Sequence, residues 1–310
     1  MEQSSWPPRW LTPVPAEAIK RGRHFEPVSL FAEAFGIITK DSVAGVTGTA
    51  LDLRPWQVSL LEHLFAVEDG GYRHQSQLVG MPRKNGKSAL GSVIALYGLI
   101  LGPKGAEVYS VAAEKEQARI VFADAKRIVE SSSELSGITK LYRDAIELPK
   151  FGSVYRVVSA EAYSKEGLSP TLCLVDEVHA IGNRDLWDTF SLAMGARGKM
   201  STMIGITTAG VKADRTGRDS IAYSLYQYGQ KVARGEVDDP SFFMAWWESA
   251  EEADHKNPET WMEANPGFGD LNAVSDFESA VRRTPEAEFR TKRCNQWVSS
   301  QMSWLPTGSW

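Results

Sequence analysis

Between residues 115 and 129, Ala118, Val121, Phe122, Ala125, Ile128 and Val129 recur every three or four positions and fall on one face, which predicts an amphipathic helix. Short apolar runs predict strands at 77–80, 107–112, 145–148, 154–158, 171–175 and 201–207, with further helices at 87–101, 185–194 and 221–234. Strand and helix alternating at this spacing imply an α/β fold around a mainly parallel sheet, expected to end at Thr207. Residues 1–50 carry Pro, Gly and Ser punctuation around one helical stretch at 27–35 and read as an N-terminal arm. The core is expected over 51–238 and a smaller subdomain over 239–310, with the boundary near Asp238, where the sequence turns acidic and rich in tryptophan.

The 310 residues are 43% hydrophobic and 24% charged, which excludes a disordered chain and leaves room for a sizeable core. Cys173 and Cys294 are too few for a disulfide framework and lack nearby partners for a zinc pair, which points to a reducing compartment. The longest apolar run, 92–101, is about half of what a bilayer crossing needs, and the N-terminus has no signal-peptide core. A cytoplasmic protein is therefore expected. The net charge of −5 is uneven: residues 236–288 hold fourteen acidic groups against three basic, leaving the remainder net positive. That balance argues against whole-surface adhesion to nucleic acid while permitting a local basic track.

The sharpest chemical signal is GMPRKNGKS at 80–88, set between a predicted strand and a predicted helix. Such a loop cradles phosphates with its backbone N–H groups and the helix N-terminus; Lys87 can reach the β and γ oxygens, and the Ser88 hydroxyl can enter a magnesium shell. Five residues separate the two glycines where four are usual, so Met81 stands in the first glycine's place. Further on, LCLVDEVH at 172–179 is an apolar strand ending in two acids. Asp176 suits a magnesium shell and Glu177 can polarise an attacking water, whereas His179 reads as structural. Thr207, Thr208 and Gly210 end the next strand in two hydroxyls and a flexible turn, a hinge able to sense the γ-phosphate, although Thr-Thr is also simply β-favouring. Gln57, in LRPWQ, carries a donor and an acceptor suited to an adenine edge. Trp56 reads as core, and so do the tryptophans at 246, 247, 261, 297, 304 and 310, as core and interface anchors. A cation against the developing phosphate charge is expected from among Arg83, Lys84, Arg119, Lys165 and Arg197. Arg83 can act within its own subunit and Lys165 on a neighbour's nucleotide, unless these are ordinary solvated side chains.

Taken in order, LRPWQ, GMPRKNGKS, AAEKEQAR, SKEGLSPTLCLVDEVHAI and ITTAG, with the later EANPG and RCNQW, resemble the large terminase subunits of tailed bacteriophages over about residues 50–300. The resemblance implies a RecA-like P-loop ATPase with a small C-terminal lid, working as a homo-oligomeric ring that moves double-stranded DNA into a procapsid. It implies ATP and Mg²⁺ as cofactors, with the ATP held by Gln57 and by Arg83, Lys84, Asn85, Gly86, Lys87 and Ser88. Ser88 and Asp176 are then the metal ligands, and Lys87, Glu177 and Lys165 the catalytic residues. Thr207, Thr208 and Gly210 couple hydrolysis to movement. A small terminase subunit and a portal protein are the implied partners, in the host cytoplasm and away from any membrane. In that family a nuclease follows the ATPase; this sequence stops at Trp310, so DNA cleavage is not expected of it, the nuclease half being truncated or separately encoded. Two other readings remain: a DExH-box helicase, since Asp176 to His179 spell that box, and a nucleotide-binding assembly factor without turnover.

Overall fold

The computed structural model describes residues 5–24, 27–159, 167–182, 184–213 and 217–299. In chain order its elements begin with β1 (Trp10–Leu11), α1 (Ala16–Gly22), α2 (Val28–Phe35), α3 (Pro55–Leu64) and a hairpin of β2 (Val67–Glu68) and β3 (Gly71–Tyr72). They continue with β4 (Ser76–Gly80), α4 (Lys87–Ile100), β5 (Glu107–Ala112), α5 (Lys115–Ser131), α6 (Ser133–Ile138), β6 (Lys140–Leu141), β7 (Ala145–Leu148) and β8 (Ser153–Ser159). The remainder are β9 (Leu172–Asp176), α7 (Asp185–Ala193), β10 (Thr202–Thr207), α8 (Ile221–Ala233), β11 (Phe242–Trp246), α9 (Pro258–Ala264), α10 (Val274–Arg283) and α11 (Glu286–Cys294).

Nine strands make one sheet in the order β1-β11-β4-β10-β9-β5-β8-β7-β6. The six from β11 to β8 run parallel; β1, β7 and β6 pair antiparallel at the two margins. Alternate side chains of each central strand feed two apolar layers, as the two-residue period of a strand dictates. In β9, Leu172 and Leu174 join the layer built with α2, α3, α4 and α5, while Cys173 and Val175 join the layer built with α7 and α8. The helix predicted at 115–129 is present as α5, and its six periodic residues are all buried.

The sheet does not end at Thr207. All five residues of β11 are buried, and the strand lies beside β4 with β1 beyond it, so a segment after Asp238 and one from the first fifty residues both belong to the sheet. An unbroken apolar run is what a strand covered on both faces requires. Helices α9, α10 and α11 gather a separate small core of Trp261, Phe277, Phe289 and Cys294. Trp56, Trp246, Trp247, Trp261 and Trp297 are buried; Trp304 and Trp310 lie outside the described residues. Among the described residues no helix is long and apolar enough to cross a membrane.

Candidate functional site

Parallel strands in register bring their C-terminal ends to one edge, where an open α/β sheet binds ligands. Gly80 of β4 sits opposite Thr207 of β10, and Ile206 sits opposite Asp176 of β9. The loop after Gly80 therefore faces the two acids. Gly86 caps α4 with φ +79°, a left-handed conformation natural to glycine, and a side chain there would also press on Gln57 Nε2, 3.3 Å from the added carbon. Met81, in the first glycine's place, is buried in the core, and its N–H donates to the Thr207 carbonyl (3.1 Å), which seats the loop on the sheet. Lys87 opens α4. Its buried Nζ donates to the Met81 and Pro82 carbonyls at 2.9 and 3.3 Å. Burial lowers its pKa to about 8 against the opposing pull of Glu177 and Asp176.

The acids differ in environment. Asp176 Oδ1 accepts the Glu177 N–H (3.0 Å) and Oδ2 accepts Gln117 Nε2 (3.1 Å). Burial, and then the neighbouring Glu177, push its carboxyl above the ordinary aspartate value. Burial also pushes Glu177 up, but the contact with His179 and the charges of Lys87, His179 and Arg83 outweigh it and hold this carboxyl below its usual value. Glu177 has φ +51°, a conformation rare for a residue with a Cβ, which turns the chain into a short 3₁₀ segment and brings His179 back beside it. Its Oε2 lies 3.1 Å from His179 Nδ1 without meeting hydrogen-bond geometry, and is otherwise a buried oxygen with no donor among the described residues.

A cleft of about 980 Å³ opens over these groups, with Gln57, Arg83, Lys87, Ser88, Gln117 and Glu177 on its wall. The segment of the first fifty residues contributes to it as well, through Ile37, Ile38 and Val43. Gln57 is buried, and its Oε1 accepts the Arg54 N–H (2.9 Å) at the start of α3. The Asn85 side chain turns to the C-terminal helices: its Nδ2 donates to Asn265 Oδ1 (2.9 Å) and its Oδ1 accepts from the Gly267 N–H (3.0 Å) and Asn272 Nδ2 (3.2 Å). Lys84 pairs with Asp276 at 3.2 Å. Arg119 is engaged by Asp144 and Glu116, and Arg197 by Ser169, the Gly105 carbonyl and Glu107 near the start of β5, away from the cleft. Lys165 lies outside the described residues. Thr207 and Thr208 are buried, both within reach of His179 Nδ1, and Gly210 passes close enough to that ring for an added carbon to meet its Cβ at 3.1 Å.

Sequence reasoning did not single out Gln117, the bridging position of His179, or the Arg54–Asp270 pair (2.7 and 2.8 Å) beside the loop. Gln117 and Arg54 stand inside quoted motifs, which was the available signal. Among the described residues no three His, Cys, Asp or Glu side chains gather as a metal site. A cation here would rest on a few hard oxygens and on its ligand, the habit of Mg²⁺ and not of zinc.

The sequence matches the family described as "Terminase large subunit, ATPase domain" over residues 55–231. It is 28% identical over 298 residues to the "Terminase, large subunit" of Enterobacteria phage HK97, covering 92% of this chain and 55% of that protein. The chain thus spans about half the length of that relative. Its fold superposes on the crystal structure of the HK97 bacteriophage large terminase with a TM-score of 0.75 at 26% identity, over 89% of this chain and 55% of the other. A mutant ATPase domain of the Thermus phage P74-26 large terminase superposes with a TM-score of 0.50 at 18% identity, over 79% of this chain and all of that one, a likeness of fold alone.

Proposed function

The chain belongs to the terminase large-subunit ATPase family, and on that premise we propose that it binds ATP at the 80–88 loop and hydrolyses it to drive phage DNA packaging. The observation that carries this reading is the meeting of Lys87 with the unpartnered Glu177 Oε2 at one cleft on the ligand-binding edge of the sheet. Lys87, freed from the loop carbonyls, binds the β and γ phosphates together with the N-terminus of α4. Glu177 takes the proton of the attacking water as its oxygen bonds to the γ-phosphorus; the bond to the β–γ bridging oxygen breaks, and its electron pair leaves with ADP.

Ser88 Oγ and the Asp176 carboxylate suit Mg²⁺, since a buried, partly uncompensated pair of acids favours a hard cation. Bound there, the ion supplies charge neutralisation at the phosphates. Gln57 reads the adenine, and a further cation comes from Arg83 in the same subunit or from Lys165 of a neighbour in a ring. Thr207, Thr208 and Gly210 pass the loss of γ-phosphate to the C-terminal helices. Double-stranded DNA, a small terminase subunit and a portal protein are the proposed partners, in the host cytoplasm.

Phosphate release by the purified chain tests the reading. Glu177→Gln should keep ATP binding within about threefold while hydrolysis falls at least a hundredfold, the scale of a lost general base. Lys87→Ala should abolish binding. Unchanged hydrolysis by either variant would defeat the assignment.

A further inference from the structure

Resting on that reading of Glu177, we propose that His179 is a positioning residue that sets which way Glu177 Oε2 is engaged and links this catalytic oxygen to the tip of β10. The argument begins with the single proton on Thr207 Oγ1. That hydroxyl donates to the Thr208 carbonyl (2.9 Å), which can only accept. Towards His179 it can therefore only accept, and it does so twice, from the His179 backbone N–H at 3.1 Å and from Nδ1 at 3.0 Å. His179 Nδ1 thus carries a proton.

One Nδ1–H now has three oxygens in reach: Thr207 Oγ1 at 3.0 Å in hydrogen-bond geometry, Thr208 Oγ1 beside it at a longer 3.4 Å, and Glu177 Oε2 at 3.1 Å outside that geometry. While the proton is held by Thr207, Oε2 has no donor and can accept from water. A shift of the β10 tip that withdraws Thr207 hands the same N–H to Glu177, caps the oxygen and weakens it as a base. The ring has little freedom to evade this choice, because Gly210 packs on its Cβ and the left-handed turn at Glu177 fixes its approach. His179 does not touch the reacting atoms. It acts through Glu177 and through Thr207.

The test is steady-state ATP hydrolysis by the full 310-residue chain carrying Thr207→Val, Thr207→Ala, His179→Ala or the Ala/Val pair. With the competing acceptor removed, Thr207→Val leaves the N–H to Glu177 and should lower kcat at least tenfold while KM for ATP stays within about twofold. His179→Ala removes the cap and should stay within about threefold of the unmutated chain. The pair should recover to within about threefold of His179→Ala alone, as residues acting through one hydrogen bond are not additive. A kcat for Thr207→Val equal to the unmutated value overturns the proposal, and so does a pair as slow as Thr207→Val. Should the valine variant fail to fold, a folded Thr207→Ala that has lost tenfold or more decides for it and one within threefold decides against it. Glu177→Gln assayed in parallel separates the failures: if it is silent while Thr207→Val is normal, only the role of His179 falls; if it hydrolyses normally, the underlying reading falls.

Discussion

At the scale of single residues, burial decides what a titratable group does, and His74 shows it away from the cleft. Its Nδ1 lies 2.9 Å from the Pro240 carbonyl and so carries the proton, while its Nε2 is buried without a partner among the described residues. Burial lowers its pKa to about 4. Between the unfolded value near 6.5 and that value, the unfolded chain binds a proton that the folded chain refuses, so stability present above pH 6.5 is lost as the pH falls to 4. The loss amounts to about 3 kcal/mol. His74→Asn keeps a donor for Pro240 and cannot ionise, so urea midpoints at pH 7 and pH 4.5 should lie closer together in this variant than in the unmutated chain; equal separations would rule the explanation out. The same distinction governs what was readable in the site. Lys87, Ser88 and Glu177 could be proposed from sequence because the chemistry assigned to them follows from adjacent residues in a contiguous motif. The place of His179 could not, because its meaning depends on a hydroxyl from a strand 28 residues further on. Nor could the direction of the Asn85 side chain, whose partners stand about 180 residues away.

At the scale of elements, the pairing of β4 with β11 depends on a missing side chain. Gly80 stands opposite Trp246, and a Cβ at Gly80 would fall 1.9 Å from the indole. The indole cannot retreat. It is fully buried, stacked on Trp297 at 5.4 Å, and its Nε1 donates to Glu248 (2.9 Å). Gly80→Ala should therefore cost about 3 kcal/mol in urea denaturation, as overpacking of a rigid core does. Trp246→Leu placed in the same chain should return part of that loss, a coupling that independent sites would not show. β11 is also the element least visible from sequence. Its five apolar residues lack the alternation of a half-exposed strand, and they follow a shift to acidic composition that reads as a boundary. The strands around the cleft were plain by contrast, each an apolar run followed by a helix of the expected period. β1 has two residues, and only the edge of β11 across more than two hundred positions makes it a strand.

At the scale of the whole molecule, α9, α10 and α11 share an apolar core of four buried residues, too small to hold three helices by itself. Their order is borrowed from the sheet edge. Asn85 accepts and donates across to Asn265, Gly267 and Asn272; Arg54 grips Asp270; and Asn295 accepts the Ala209 N–H and donates to the Trp247 carbonyl, both at 2.6 Å. One of these buried contacts begins inside the 80–88 loop, so anything that fixes that loop also stabilises the helices, and the reverse holds by linkage. Asn85→Ala leaves three buried polar groups without their partner, a cost of about 2 kcal/mol or more that should fall on the helices and not on the sheet. Native-state hydrogen exchange reads this directly. Amides of residues 258–294 should exchange through openings easier by about that amount, while amides of β4, β9 and β10 keep their protection. A loss spread evenly over both regions would mean that the helices and the sheet open as one unit, and that the loop asparagine holds the entire molecule instead of latching its C-terminal part. With the latch local, ATP added to the unmutated chain should raise protection across 258–294, and the same addition to Asn85→Ala should not.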